Sequence, residues 1–280
     1  MLDKYPFIKF PGELYQFLIQ TAERYNEPHR YYHNASHLQE LLDEIAVAEY
    51  SSEEYRIAMA LVAIFHDAIY NPRKKDNEER SAEYAAAFFR VATKVKDMRE
   101  DVVKAILDTK NHHLAEGRLS RDFCLLDLKR MFQSSPGELL KHELNIFKEY
   151  QFVDFATYKK NRVEFLRFFV EHSPSIKDKI EYHIAWLEAW RPKIGIYAGS
   201  FNPFHIGHLD VLEKAEKVFD KVVVARGINA QKMRVPSCER VIKPFGEVEW
   251  LEIKNTNLDK ILPFHETVFF TTLLSDVVKH

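Results

Sequence analysis

Several side chains in the first half of the chain are of the types that bind divalent metal ions or move protons. His66 and Asp67 are adjacent and end the uncharged run 57–65, which predicts a buried helix. An imidazole and a carboxylate at the inner end of such a helix carry a large desolvation cost unless they are paired or bind a cation. The pair therefore indicates a metal site. For a lone histidine in an apolar run, a hydrogen-bonded core histidine is the commoner alternative.

Further metal-ligand types precede and follow this pair. His33 and His37 are four positions apart, so they share one face if both are helical. Asp127 interrupts the apolar segment 124–128 of a predicted helix. A mixed set of imidazole and carboxylate ligands suits Mn²⁺, Fe²⁺, Zn²⁺, Ni²⁺ or Mg²⁺. Incomplete coordination by the protein leaves room for water and a phosphate oxygen, as hydrolytic metal catalysis requires.

The order of these residues along the chain, H…HD…D, resembles that of the HD superfamily of metal-dependent phosphohydrolases over residues 10–190. The resemblance implies an all-α helical bundle in which the metal ligands are His37, His66, Asp67 and Asp127. The motif Tyr-His-Asn-x-x-His is similar to one in the cyclic-nucleotide phosphodiesterase branch, which implies that His33 donates a proton to the leaving group. The following segment, from Phe-His-Asp-Ala to Glu-Glu-Arg-Ser-Ala, resembles a small bacterial subgroup of the same superfamily.

A few further residues have a functional interpretation and a structural one. Glu78 and Glu79 would orient the attacking water, or Glu79 would complete a helix capping box with Asp76. His112 and the histidine after it would bind phosphate or a second metal, or would be stabilised at a helix C-terminus by the helix dipole. Arg30 would clamp a phosphate, or it would be a solvated surface arginine.

A second group of chemistry-bearing residues lies near the C-terminus, in the segment Gly-Ser-Phe-Asn-Pro-Phe-His-Ile-Gly-His. It follows a predicted strand over 194–197 and precedes a predicted helix over 207–219. Gly207 allows close backbone approach at the start of that helix, where free N–H groups favour phosphate. His205 and His208 would hydrogen-bond a triphosphate and stabilise the charge on a pentavalent phosphorus centre.

This segment resembles the HxGH nucleotidyltransferases, and phosphopantetheine adenylyltransferase most of all, through the downstream Asn-x-x-Lys. The resemblance implies that His208 stabilises the transition state and that His205 assists at the triphosphate. It also implies that Ser200 and Phe201 contact the substrate phosphate and the nucleotide, and that Lys232 bridges the phosphates of both substrates. The cofactors that it implies are ATP and Mg²⁺.

Two later segments of that family, an Arg-Gly-Leu-Arg-like one and a Ser-Ser-x-x-x-Arg helix start, are not found after the similar tail 266–278. We therefore expect an incomplete ATP site and an exposed strand edge. The nucleotidyltransferase part would then be vestigial, a truncated product, or completed by a second chain in a homo-oligomer.

The change from helical periodicity to strand character places a domain boundary at 191–193. The sequence thus predicts a multidomain chain, with an all-α HD-type bundle over 1–191 followed by a partial α/β Rossmann-like nucleotidyltransferase unit over 192–280. A second strand is predicted over 221–225, which makes a β-α-β unit. The predicted helices of the first part span 13–23, 35–48, 53–67, 77–94, 98–112, 123–133, 136–150, 155–170 and 176–190.

Composition limits the classes of partner. The chain has 280 residues, of which 46% are hydrophobic, and a formal net charge of −2 from 40 basic and 42 acidic residues. This balance gives no reason to expect nucleic acid or an anionic membrane as a partner. Cys124 and Cys238 form no Cys-x-x-Cys pair, and there is no apolar run of signal-peptide or membrane-spanning type, which together indicate a soluble cytoplasmic protein.

Three functions stay open at this stage. The first is a phosphohydrolase acting on a small phosphorylated metabolite or nucleotide, joined to an adenylyltransferase-like module of coenzyme A pathway type. The second is a bifunctional protein whose main activity is pantetheine-phosphate adenylyl transfer. The third is a non-catalytic protein that binds a nucleotide and regulates or assembles; it would be stabilised by ligand without turnover.

Overall fold

A computed structural model describes residues 1–199, 201, 205–227, 242–243, 246–247, 250–253 and 267–270, with side chains as far as 225. The chain divides into two compact units, Met1–Glu149 and Tyr150–His280. The domain boundary predicted at 191–193 falls inside the second unit, between its last helix before the sheet and its first strand. That boundary stays a prediction.

The first unit consists of α-helices joined by short turns and 3₁₀ helices. The helices predicted over 13–23, 35–48, 53–67, 77–94 and 136–150 are confirmed to within three residues at each end. The unit contains α1 (Glu13–Glu23), α2 (Ala35–Val47), α3 (Glu53–Phe65), α4 (Asn77–Val91), α5 (Arg99–Asp108), α6 (Arg118–Asp127), α7 (Lys129–Gln133) and α8 (Pro136–Glu149).

Two helix predictions were wrong in extent. The helix predicted over 98–112 ends at Asp108, because Asn111 in the following 3₁₀ segment has the non-helical angles φ −139° and ψ 72°. The helix predicted over 123–133 begins five residues earlier, directly after Gly117, whose φ of 87° starts the turn. It is also divided at Leu128 into α6 and α7.

Helix α3 lies at the centre of the first unit. Its N-terminus is capped by Ser52, which accepts a hydrogen bond from the Tyr55 N–H, and all of its residues from Ala58 to Phe65 are buried. A helix that is apolar all round must be enclosed by other elements. The end of α3 therefore delivers the next residue, His66, into the interior. Buried side chains of the same core come from the surrounding helices: Leu18, Leu42, Phe88, Ile106 and Phe123.

The second unit combines two helices with a parallel sheet. The predicted helices over 155–170 and 176–190 are confirmed as α9 (Phe155–His172) and α10 (Lys177–Ala189). The predicted β-α-β unit is confirmed as well. The unit consists of β1 (Ile194–Gly199), α11 (Ile206–Ala215) and β2 (Lys221–Gly227). The later strands are β3 (Ile242–Lys243), β4 (Gly246–Glu247), β5 (Trp250–Ile253) and β6 (Thr267–Phe270).

The parallel sheet has the strand order β5-β2-β1-β6, while β3 and β4 form a separate antiparallel pair. Strand β1 pairs in parallel with β2, with Ile194 opposite Lys221, and with β6, with Ile194 opposite Thr267. After β1 the chain thus continues to β2 on one side of that strand, and the later strand β6 pairs with β1 on its other side. In open parallel sheets ligands bind at such a switch point, beyond the carboxyl ends of the strands. The loop after β1 lies at this edge.

Within the part of the chain that the structure describes, no helix is both long enough and apolar enough to cross a lipid bilayer.

Candidate metal centre and nucleotide-binding loop

His66 is buried directly after α3, with 2% of its surface exposed. Its Nδ1–H donates to the Ala63 carbonyl at 2.9 Å, so in the neutral ring Nε2 carries the lone pair. Nε2 lies 3.2 Å from Asp67 Oδ2 and 3.7 Å from Asp127 Oδ1, yet has no hydrogen-bond partner among the described residues. A lone pair facing two carboxylates is unfavourable unless a proton or a metal ion lies between them.

His37 and Asp127 come to the same point from α2 and α6. The Asn34 side chain caps α2 by accepting the N–H groups of Ser36 and His37, which holds His37 in the first turn. His37 Nε2 lies 3.0 Å from Asp127 Oδ1. Ligand atoms of His37, His66 and Asp127 lie within 4.8 Å of one another. Residues distant in sequence therefore present nitrogen and oxygen atoms to one small volume.

The separations between these atoms fit a shared cation. Bonds of about 2.0–2.2 Å from a divalent ion to nitrogen and oxygen place neighbouring ligand atoms about 3–3.5 Å apart. The pairs His37–Asp127 at 3.0 Å and His66–Asp67 at 3.2 Å fall within this range, and His66–Asp127 at 3.7 Å lies just above it. The donor set of two imidazoles and two carboxylates suits Mn²⁺, Fe²⁺, Zn²⁺ or Ni²⁺. It suits Mg²⁺ less well, because Mg²⁺ prefers sites in which all ligands are oxygen atoms.

The charges of the cluster favour a cation. Burial would raise the pKa of Asp67, but the adjacent His66 holds it well below its usual range. Burial opposes ionisation of Asp127 too, but hydrogen bonds from His112 and His37 keep its pKa far below normal. Burial lowers the pKa of His37, so this ring is neutral at pH 7. For His66, burial lowers the pKa, but Asp67 and Asp127 raise it to about 9. Two carboxylates thus stay ionised in a buried site.

His112 supports this cluster. Its Nε2 lies 2.8 Å from Asp127 Oδ2, so both oxygens of that carboxylate face imidazoles. His112 lies within the 3₁₀ segment Thr109–Leu114 that follows α5. The structure places this residue, which the sequence suggested as a ligand for phosphate or a second metal, against the Asp127 carboxylate. A partner of this kind fixes the orientation of a ligand.

Glu149, at the end of α8, is a residue of this site that sequence reasoning missed. Its side chain is fully buried, and its Oε1 accepts the backbone N–H groups of Tyr31, Tyr32 and His33 at 2.6–3.0 Å. Its Oε2 accepts the Tyr70 hydroxyl at 2.7 Å and lies 2.7 Å from His33 Nδ1. Burial would raise the pKa of this carboxyl, but His33 lowers it below its usual value. The carboxylate therefore shapes the turn before α2.

His33 is held beside the metal cluster by this contact. The ring centroids of His33 and His37 are 6.5 Å apart, and 26% of the His33 side chain is exposed. Burial lowers the pKa of His33, but Glu149 raises it above the ordinary histidine value. With Nδ1 occupied by Glu149, Nε2 is the nitrogen available for proton transfer. This arrangement suits the proton-donor role that the sequence suggested.

Arg30 does not have the geometry of a phosphate clamp. Its side chain is fully buried, and its guanidinium donates to the carbonyls of His33, Asp67 and Ala68 at 3.3, 2.7 and 3.3 Å. Its Nε donates to Glu27 at 2.9 Å. These bonds join the turn before α2 to the segment after α3, so Arg30 positions the backbone of the site.

We expect Arg30→Met to lower the free energy of unfolding by about 3–5 kcal/mol, because buried carbonyls and Glu27 lose their charged donor. Chemical denaturation followed by circular dichroism measures this change. Arg90→Met, at an exposed position of α4, is the matched control. A variant with unchanged stability and a raised KM would instead identify Arg30 as a phosphate ligand.

Glu79 lies at the edge of the site. It forms an ion pair with Lys110, and 46% of its side chain is exposed. Asp76 makes no side-chain cap at the start of α4, so the predicted capping box does not form. The neighbouring Glu78 is more enclosed; burial raises its pKa, and the charge of Asp67 adds to this. Glu78, which was predicted together with Glu79, thus interacts electrostatically with Asp67.

In the second unit, His205 and His208 cap the start of α11 together. His205 Nδ1 accepts the Gly207 N–H at 3.2 Å, and His208 Nδ1 accepts the His205 N–H at 3.2 Å. Their rings stack with centroids 3.6 Å apart. A Cβ on Gly207 would lie 3.1 Å from the His205 ring, which explains the small residue between them. Two imidazoles and a helix N-terminus thus meet at the switch point of the sheet.

Phe201 differs from its predicted role. Its side chain is buried at 2% exposure and packs edge-to-face on Tyr197, 4.9 Å between ring centroids. Its centroid lies 5.1 Å from that of His208. The ring therefore belongs to the core cluster that includes Tyr197 and Leu212, and it packs against His208. The backbone of Phe201 has φ 43°, a strained value for a bulky residue. The predicted residues Ser200 and Lys232 lie outside the described residues.

Gly199 makes room for that ring. A Cβ at this position would lie 2.8 Å from Phe201 Cζ, so we expect Gly199→Ala to destabilise the protein by about 1–3 kcal/mol through overpacking. Thermal unfolding of the full chain measures the change. Gly137→Ala is the matched control, because its Cβ would meet no described atom within 4 Å. Equal melting temperatures for the two variants would contradict the prediction.

Comparison with known proteins connects this loop to one class. The cytidylyltransferase-like family matches residues 196–243, which include β1 from its third residue, the histidine pair, α11 and β2. Residues 196–243 are therefore a cytidylyltransferase-like segment, and the rest of the chain lies outside the match.

The chain is also similar to particular enzymes. It is 48% identical over 64 residues to the phosphopantetheine adenylyltransferase of Mycoplasma capricolum, covering 20% of this chain and 46% of that enzyme. It is 45% identical over 67 residues to that of Desulfatibacillum aliphaticivorans, covering 24% and 38%. For the Porphyromonas gingivalis enzyme the identity is 46% over 50 residues, covering 18% and 33%. The chain thus spans less than half the length of these relatives. No solved structure matches the chain.

Proposed function

We propose that the first unit is a metal-dependent phosphohydrolase of the HD type, acting on a small phosphorylated metabolite or nucleotide. The observation that carries the proposal is the convergence of His37, His66 and Asp127, with Asp67 beside them, around one buried point. The His66 nitrogen that faces this point has no hydrogen-bond partner among the described residues. The comparisons leave this unit unassigned, so the proposal rests on geometry and on the H…HD…D order.

Each residue then has a defined task. The four ligands would hold a divalent ion, which supplies Lewis-acid stabilisation of phosphoryl charge and activation of water. His33 gives its Nε2 proton to the departing oxygen, and Glu149 keeps the imidazole protonated and oriented. The other ring nitrogen of His66 is fixed by the Ala63 carbonyl, as metal-binding histidines require.

A screen for phosphate release tests this proposal. The full chain is loaded separately with Mn²⁺, Fe²⁺, Zn²⁺, Ni²⁺ and Mg²⁺ and assayed against a panel of phosphomonoesters and nucleotides. We expect metal-dependent release of phosphate that a chelator abolishes. Ligand-induced stabilisation with no turnover of any compound would contradict the enzyme and identify a binding protein.

The second unit favours a second function, because its two capping histidines and the family match fall on the same loop. We infer that this segment binds ATP with Mg²⁺ and is related to adenylyl transfer to 4′-phosphopantetheine. His205 and His208 would contact the phosphates at the N-terminus of α11. Burial and the neighbouring His205 lower the pKa of His208, so the ring is neutral at pH 7 and donates a hydrogen bond.

Adenylyl transfer is tested with ATP, Mg²⁺ and 4′-phosphopantetheine. Pyrophosphate release that is lost in His208→Ala would establish a catalytic module. ATP binding without pyrophosphate release would instead identify a nucleotide-binding segment. The exposed His172 supplies the control variant His172→Ala, which we expect to behave like the wild type.

A further inference from the structure

A cavity of about 250 Å³ opens beside two of the metal-ligand residues, His37 and Asp127. Its walls come from α2, from the end of α6, and from α7 and the start of α8. His37 Nδ1 is buried and has no hydrogen-bond partner among the residues that the structure describes. Because the cavity shares His37 and Asp127 with the proposed metal centre, it lies next to that centre and can hold the part of a substrate that is not transferred.

The cations that line this cavity are already paired. Arg130 Nε donates to Glu40 Oε2 at 2.6 Å, and the Arg130 guanidinium lies over the Tyr32 ring at 5.2 Å. Lys129 forms an ion pair with Glu44. Each basic side chain of the lining therefore has a carboxylate partner.

One carboxylate of the lining, that of Glu138, is not paired with a lining cation. Glu138 Oε2 accepts the backbone N–H and the hydroxyl of Ser135 at 2.8 and 2.7 Å, and no lining cation is bonded to it. Ser134 and Gln133 add uncharged hydrogen-bonding groups, and Leu41 and Leu126 add apolar surface. Apart from Asp127, the lining carries two cations and three carboxylates.

This charge pattern selects against a second anionic group. An added carboxylate or phosphate would face Glu138 and would have to displace Glu40 or Glu44 from its cation, which costs like-charge repulsion and desolvation. Hydroxyl groups or an amine would instead find acceptors. A cavity of about 250 Å³ has room for a short polyhydroxylated chain.

We propose that this cavity binds the uncharged, hydroxyl-rich part of a small phosphomonoester, so that the substrate carries a single anionic group. This inference rests on the proposed phosphohydrolase function and specifies its substrate class. The specificity residues are Glu138 and the carboxylates that occupy the two cations, Glu40 and Glu44.

Two ligands that differ in one group test the proposal. Erythritol 4-phosphate and 4-phosphoerythronate share their carbon skeleton, and only the second has a carboxylate at the far end. Binding to the Mn²⁺-loaded full chain is measured by calorimetry in the His33→Asn variant, which keeps the metal ligands and suppresses turnover. We expect erythritol 4-phosphate to bind at least about tenfold more tightly.

Removing a carboxylate partner should change this preference. Glu44→Gln releases Lys129, so we expect the ratio of the two affinities to fall to about threefold or less. Glu23→Gln, at an exposed position of α1 outside the cavity, is the matched control and should keep the ratio.

Three outcomes overturn the inference. They are equal or tighter binding of 4-phosphoerythronate, an unchanged ratio in Glu44→Gln, and failure of both compounds to bind while orthophosphate binds. The proposed function fails separately: if the preference is observed but the wild type releases phosphate from no compound, the cavity inference stands and the hydrolase does not.

Discussion

Replacing His66 by alanine is expected to remove the bound divalent ion and to lower phosphate release by about 10³-fold or more. The imidazole presents its lone pair at 3.2 Å from Asp67 and 3.7 Å from Asp127, so its loss leaves two buried carboxylates with one neutral ligand fewer. We expect the affinity for the cation to fall and the phosphoryl group to lose its orientation at the same time. The measurement combines metal content by mass spectrometry with initial rates on the best substrate of the screen.

A folding control separates this loss from unfolding. Circular dichroism of His66→Ala should keep the helical signal, because the variant removes an imidazole rather than an apolar contact of α3. His172→Ala changes an exposed histidine of α9 and should retain metal and rate. A folded His66→Ala protein with normal metal content and normal rate would exclude His66 as a ligand.

Replacing Glu149 by glutamine should lower kcat by about 10²-fold, with a smaller change in KM, because the carboxylate orients the proton donor rather than the substrate. An amide cannot stabilise a protonated His33 at 2.7 Å as a carboxylate does. The substitution keeps the size of the side chain and an oxygen that can accept the backbone N–H groups of the turn. The expected effect is therefore mainly on chemistry.

The pH profile distinguishes this role from a structural one. A general acid works while it is protonated, so activity falls as pH rises through the pKa of His33. Glu149 raises that pKa, and its replacement should move the alkaline limb of the profile to lower pH. Glu23→Gln is the matched control. An equal loss of rate at every pH, with the limb in place, would contradict the assignment.

The members of the metal cluster could be suspected from the sequence, because His66, Asp67 and Asp127 are polar groups in apolar surroundings. Their convergence was implied by the resemblance of the H…HD…D order to a known family; periodicity and composition alone could not predict it, since it depends on how α2, α3 and α6 pack. The histidine pair after β1 was recognisable for a different reason. Its motif, strand and helix are contiguous, and local sequence specifies them.

Glu149 and Arg30 show where sequence reasoning ends. Glu149 bonds backbone groups 116–118 positions away, and no local pattern distinguishes it from other acids at helix ends. Arg30 is buried by residues of distant segments, so its sequence context resembles that of a surface arginine. Phe201 failed as a predicted nucleotide contact for the same reason, because its ring packs on Tyr197 beneath the loop. Long-range packing, rather than propensity, decided all three.

The metal content of the purified full chain tests most directly whether His37, His66, Asp67 and Asp127 share one cation. After loading with Mn²⁺, Fe²⁺, Zn²⁺ or Ni²⁺ and removal of free metal, the wild type should retain about one ion per chain, and Asp127→Asn should retain almost none. A folded wild type that holds less than about a tenth of an ion per chain with every metal would contradict the assignment of this centre.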